Sequence, residues 1–277
     1  VLLEVLPVFS RSLLACIALL VPAAYADEAV SPRLPEGVEV VQQVNERDEG
    51  ITLRRESRME LIDAKGRTRI RVAKMFRKYE GDAKKTTVYF VEPANLAGTA
   101  FLTFDYSDAE RDDDQWLYLP AHRKVRRISP SDRGGSFFGT DLSYEDVKKE
   151  TQLALEDYRW TVRGTETVDG HDCYVLEGIP VDDVTARELG YSRVLSRIDR
   201  EHWITRLADY WDLKGQHLKT TRNVAIDEID GIWTIRRTEV VNHRSGHRTV
   251  VEFSNIAYDD GIPDELFEPG NLTRGIP

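Results

Sequence analysis

Cysteine is nearly absent from this chain, with Cys16 and Cys173 the only two in 277 residues. Cys16 lies inside an N-terminal apolar run, so a chain that loses that run keeps one thiol and forms no internal disulfide. Long apolar stretches are missing as well: "LLACIALLV" at 13–21 falls far short of the roughly 20 residues a membrane-spanning helix needs. Positive charge is in deficit, with 38 Lys and Arg against 48 Asp and Glu and a net charge of −10. Such a surface weighs against a nucleic-acid partner, whose phosphates demand a basic face. There is no glycine-rich phosphate loop, G-x-S-x-G elbow or H-E-x-x-H pair. The reading is therefore of a protein with no catalytic residues, no cofactor and no metal.

What is present begins with an export signal. Arg11 precedes the apolar run, Pro22 follows it, and "AYA" at Ala24–Ala26 supplies the small residues of a cleavage site. Residues 1–26 read as a cleavable signal peptide and 27–277 as one domain released across a membrane.

The next segment, "LPEGVEVVQQVNERDEG", spaces Val38, Val41 and Val44 by three, which predicts one short amphipathic helix. Strand patterns then follow for almost two hundred residues. Two flank the turn Asp63–Gly66, and on the second Arg67, Arg69 and Arg71 alternate with Thr68, Ile70 and Val72. That period of two predicts a wet arginine face and a dry face opposite. Further runs such as "TTVYFVEP", "TAFLTFDY" and "TVVEFSNIAY", joined by turns such as "DG" at 169–170 and 230–231, predict an antiparallel meander. Two stretches interrupt it, at about 129–157 and at 180–190. In the first, "SYED" from Ser143 has the form of a helix capping box. So many strands in one sheet curl, split or close, and a curled sheet needs something on its concave side.

Candidate chemistry is thin. His171 and Cys173 share a strand face, as a thiol and its base would, but "VDGHDCYVLEGI" reads more simply as a turn and a packing strand. His243 and His247 flank "RSG", a hairpin turn rather than a helix that would align two ligands. The acidic run Asp108–Asp114 lacks the glycine and distal glutamate of a calcium loop. The aromatic residues are more informative. Trp116 and Tyr118 share one face of "QWLYLP" while Leu117 and Leu119 take the other, and Phe101, Tyr210 and Trp211 add to the inventory. An apolar lining with few polar points is what a small-molecule cavity requires, and ordinary core is the other reading.

The block "DQWLYLPAHRKVRRISPSDRGGSFFGTDLSYEDV", with "YWDLKGQHLKT" and the stretch from "IDGIWTIRRTEVV" to "NLTRGIP", resembles the periplasmic outer membrane lipoprotein-sorting protein-like family. Its members are distant relatives of the carrier LolA and the acceptor LolB. The resemblance covers roughly residues 50–277 and is most specific over 115–147. It implies a mainly β fold, an incomplete, strongly curved antiparallel barrel around an apolar cavity, with a lid of helices and loops. It also implies a carrier of lipid, lipoprotein acyl chains or other hydrophobic cargo that touches membranes transiently and works beside a transporter of the resistance-nodulation-division type. The alternative is a non-catalytic subunit of an envelope transport complex with no cargo of its own.

Under this resemblance Phe101, Trp116, Tyr118, Phe137, Phe138, Leu142, Tyr210 and Trp211 are the candidate cavity or gate residues. Phe137 and Phe138 would form the gate, with Gly134, Gly135 and Gly139 as hinges, the alternative being that they pin the loop permanently to the barrel. Arg123, Arg126 and Arg127 of "HRKVRR" are candidates for contact with a partner or with anionic headgroups, a solvated strand edge being the plain alternative.

Overall fold

The computed structural model describes residues 34–108 and 111–276, together with Val1. Apart from Val1, the export segment read over 1–26 lies outside the described residues.

Helix α1 (Gly37–Asn45) opens the fold with a reciprocal capping box between Glu36 and Glu39. It buries Val41 and Val44 of the expected stripe together with Val40, and leaves Val38 exposed. The first meander is β1 (Thr52–Ile62), β2 (Thr68–Glu80), β3 (Ala83–Glu92), β4 (Ala100–Tyr106), β5 (Asp114–Leu119) and β6 (Lys124–Arg127). A crossover of about thirty residues follows and contains α2 (Tyr144–Lys149). The second meander is β7 (Tyr158–Val168), β8 (His171–Pro180), β9 (Arg193–Asp199), β10 (Thr205–Trp211), β11 (His217–Ile229), β12 (Ile232–Asn242) and β13 (Arg248–Tyr258), with α3 (Asp183–Leu189) between β8 and β9.

All thirteen strands form one antiparallel sheet in the order β6-β5-β4-β3-β2-β1-β13-β12-β11-β10-β9-β8-β7. The two meanders meet along β1 and β13, from Leu53 opposite Tyr258 to Ile62 opposite Arg248. The sheet does not close, because β6 and β7 are free edges. It is nevertheless strongly curved. Side chains from β1–β3 and β9–β13 border a single cavity of about 190 Å³. Those strands, laid flat, would extend over seven gaps of about 4.8 Å, roughly 34 Å in all, which only a wrapped sheet can bring round so small a void.

This topology dictates the lid. The crossover leaves the edge at β6 and must reach the opposite edge at β7, so residues 128–157 run across the open, concave side. On the convex side, two 3₁₀ turns near the C-terminus, Asp264–Phe267 and Pro269–Arg274, place Leu266, Phe267 and Leu272 against Tyr89, Ala100 and Leu102.

One expectation about facing is reversed. On β2 the buried apolar residues are Ala73 and Met75, which share their face with Arg69 and Arg71, whereas Ile70 is exposed. The arginines therefore stand on the concave face near its rim. Arg71 reaches the lid, where a Cβ added to Gly139 would lie 3.4 Å from its guanidinium.

Candidate functional site

The lid starts as a compact hairpin. Phe137 N–H donates to Leu142 O (2.7 Å), Tyr144 N–H to Gly135 O (3.1 Å), and Ser136 bridges Ser143. Its glycines serve close approach and turn geometry. A Cβ on Gly134 would meet the backbone carbonyl oxygens of Glu188 and Leu189 in α3 at 2.6 and 2.8 Å, and Gly139 has φ +78°. The hairpin drives Phe137 into the concave face, where it is 1% exposed. Its ring centroid lies 5.7 Å from Phe90, 5.5 Å from Phe101 and 5.5 Å from Tyr144. Phe138 packs beside it, 4.6 Å from Phe90.

After the hairpin comes α2, whose N-cap is the capping box read from "SYED": Ser143 Oγ accepts from Asp146 N–H, and Asp146 accepts from Ser143 N–H. Both flanks of the cavity then clamp the lid. On the second-meander side, Asp141 accepts from the Thr249 hydroxyl (2.7 Å) and faces His247 Nδ1 (2.6 Å), while Lys219 donates to Asp146 (2.5 Å). On the first-meander side, Lys149 donates to Asp105 (2.7 Å), Lys148 pairs with Asp113, and Arg55 donates to Glu150 (3.1 Å). Glu150 holds this position with a positive φ of +54°, uncommon outside glycine. Beyond it, Thr151 donates to Glu49, Lys84 donates to Gln152 (2.8 Å), and Leu153 and Asn45 exchange two hydrogen bonds.

Glu49 anchors this network. Burial would raise its pKa, but the charges of Arg77, Arg47 and Lys84 outweigh burial and hold the carboxyl below its ordinary value. Asp105 behaves alike, held low by Lys84 and Lys149 against burial.

Beneath the lid lies the cavity of about 190 Å³. Met59, Met75, Val88, Val251 and Phe253, with Ser57 among them, line the side formed by β1–β3 and β13, and Phe137 joins them from the lid; Ser196, Thr221, Asn223 and Thr238, beside Ile204, Ala208 and Ile235, make the β9–β12 side the more polar end. The charged residues at its border are Arg55, Asp146, Lys149 and Glu150. All four belong to the clamps just described. A second, larger cleft of about 590 Å³ opens between the lid and the ends of β3–β5, lined by groups such as Asp82, Asp105, Arg111, Asp113, Lys148 and Asp157. Its walls mix these charged groups with apolar ones such as Ile128, Leu153 and Leu155, and the smaller cavity, with the more apolar lining, suits an apolar guest better.

A family profile described as "Uncharacterized protein" matches residues 82–274. A DUF1329 family protein from Desulfovibrio piger is 34% identical, with a TM-score of 0.78 over 85% of this chain and 97% of that one. The chain belongs to the DUF1329 family. A Vibrio parahaemolyticus domain classed with outer membrane lipoprotein-sorting proteins is 30% identical, with a TM-score of 0.77 over 86% of this chain and 98% of that one. A LolA superfamily protein from Nitrosomonas europaea is 20% identical and shares the fold, with a TM-score of 0.65 over 85% of this chain and 98% of that one. No curated protein matches the chain.

In this DUF1329 chain the candidate residues divide by face. Phe137, Leu142 and Tyr210 border the cavity, and Phe101 and Phe138 lie in the cluster around Phe137. Trp116 and Tyr118 do not join them. Paired with Leu102 and Ala100, they lie on the convex face among the residues packed under the C-terminal 3₁₀ turns. Trp211 is also apart, stacked on His217 at 5.2 Å with Arg193 over its ring. Arg123 sits in the β5–β6 turn with φ +49°; Arg126 and Arg127 are exposed on edge strand β6, where Arg127 pairs with Asp114. Charged side chains on an open edge also protect it from pairing with another sheet.

The remaining titratable groups have local explanations. Burial pushes the Cys173 thiol up to about 11, and its sulfur contacts His171 O while the His171 ring faces Asp199 at 3.5 Å. His171, Asp199 and His202 bring three ligand-type atoms within 4.8 Å of one another. The Asp199 oxygen they would share already accepts from Arg206 Nε at 2.7 Å, which places a guanidinium where a metal's charge would sit. His243 and His247 diverge, His243 stacking on His217 at 4.2 Å and His247 reaching the lid.

Proposed function

We propose that this protein is a periplasmic, non-catalytic carrier of lipid or another hydrophobic, acylated molecule. It holds its cargo on the concave face beneath residues 129–157 and passes it between envelope membranes. The observation that carries this reading is the cavity itself, walled by eight strands and roofed by a crossover that the topology obliges to span it. Burial contributes about 0.8 kcal/mol per CH₂, so a few buried methylenes hold a ligand without covalent chemistry. The relative from Vibrio parahaemolyticus, classed by its name with lipoprotein sorting, supports the same reading. Residues 1–26 would direct export, 27–277 would act as one domain, and an inner-membrane transporter of the resistance-nodulation-division type would load or receive the cargo.

One observation favours the second reading, an accessory subunit without cargo. The cavity of about 190 Å³ is below the roughly 300–1,000 Å³ of ordinary ligand pockets, and Phe137 borders it. The deciding experiment is mass spectrometry of the organic extract of residues 27–277 purified from the periplasm without detergent, beside an unrelated periplasmic protein. The carrier reading expects a stoichiometric hydrophobic molecule. A clean extract, repeated after incubation with membranes, favours the subunit.

A further inference from the structure

The polar end of the cavity is out of place in a pocket for hydrocarbon alone. Ser196 is 1% exposed, borders the cavity, and among the described residues its hydroxyl has no hydrogen-bond partner. Its cross-strand neighbours are Leu176 on β8 and Ala208 on β10, which offer it no side-chain partner. Ala208 in turn faces Thr221 on β11. The row Ser196–Ala208–Thr221 thus places a hydroxyl on either side of the smallest side chain lining the cavity, leaving room above Ala208. The next polar pair is already engaged, with Thr238 donating to Asn223 (2.7 Å) and Asn223 donating to Thr205 O (2.6 Å). An orphaned buried hydroxyl costs free energy until something meets it. The charged groups bordering the cavity stand at the lid, and each is matched by an opposite charge: Arg55 with Glu150, Asp146 with Lys219, Lys149 with Asp105.

Resting on the carrier reading, we infer that Ser196 and Thr221 form a hydrogen-bonding subsite for an uncharged polar group, a hydroxyl or ester carbonyl. That group belongs to an amphiphile whose apolar body lies against Met59, Met75, Val251 and Phe253. A carboxylate or phosphate is excluded from this end, since it would be buried with no counter-charge. The cargo therefore enters with a neutral polar group leading or embedded, and any ionic headgroup stays outside the lid.

The test uses three six-carbon probes small enough for a cavity of about 190 Å³, 1-hexanol, hexane and hexanoate, titrated by heteronuclear NMR into wild-type residues 27–277 and into Ser196→Ala. The expected result is that wild type binds hexanol and hexane but not hexanoate. Ser196→Ala should weaken hexanol about tenfold, the usual worth of one hydrogen bond, and leave hexane unchanged. Unliganded Ser196→Ala should melt no lower than wild type, because it loses an unmet hydroxyl. If Ser196→Ala binds hexanol as wild type does, or if hexanoate competes equally, the subsite is wrong while the carrier reading stands. If none of the probes binds wild type, the cavity takes no guest and both fall.

Discussion

Phe137 shows how one side chain both completes a core and limits a cavity. It touches Phe90, Phe101, Phe138 and Tyr144 and borders the void. Phe137→Ala should lower stability by about 3–5 kcal/mol, the usual cost of emptying a buried phenylalanine site. It should also enlarge the cavity and tighten uptake of longer chains, read by thermal melting beside a lipid-binding titration. A variant that only melts lower, with uptake unchanged, would reduce Phe137 to packing. That an apolar pair lies between glycines is legible in the sequence. That Gly134 is there to admit the carbonyls of Glu188 and Leu189 is not, because the contact joins residues some fifty positions apart.

After its hairpin the lid runs into a short helix, held by charge pairs as well as by the packing of Tyr144 and Val147. Six residues of α2 are too few for an isolated helix to be stable, and its clamps come from both meanders. Of these, Glu49 and Asp105 have pKa values below their unfolded ones. Stability from such groups is fully present above the unfolded values, about 4.3 and 3.9, and is lost as pH falls toward the lower folded values. Acidification below about pH 4 should therefore loosen residues 144–153 before the rest of the sheet, seen as selective hydrogen exchange there. In Glu49→Gln this acid step should shrink. Capping and alternation were readable along this part of the chain, as "SYED" and the β1–β2 turn show. The clamps were not, since Arg55 and Glu150 are 95 residues apart and Thr151 and Glu49 are 102 apart. The facing of β2 misled for a related reason: period-two alternation fixes which residues share a face, while the curvature of the whole sheet decides which face is inside.

For the whole molecule, the open sheet leaves β6 as an edge carrying Lys124, Arg126 and Arg127 on an acidic protein. If this edge meets anionic membrane, Arg123→Glu, Arg126→Glu and Arg127→Glu together should reduce cosedimentation with phosphatidylglycerol vesicles severalfold at low salt, with little change in melting temperature. Unchanged cosedimentation would leave the arginines as edge protection. The mainly β, antiparallel and curved architecture was legible from the run of strand and turn signals. That β1 pairs with β13 was not, because a seam between residues almost two hundred positions apart leaves no local trace.

That seam makes the chain two halves sharing one zip. The backbone joins them elsewhere only through the crossover, so a single protease cut at its exposed start, near Ser131, would leave two pieces, each a complete run of consecutive hairpins. The β1–β13 ladder and the ion pairs under the lid would still hold them together. The roof over the cavity is thus also the tether between two fragments capable of reassociating, and severing it would turn an intramolecular fold into a dimer of unlike parts whose stability depends on concentration.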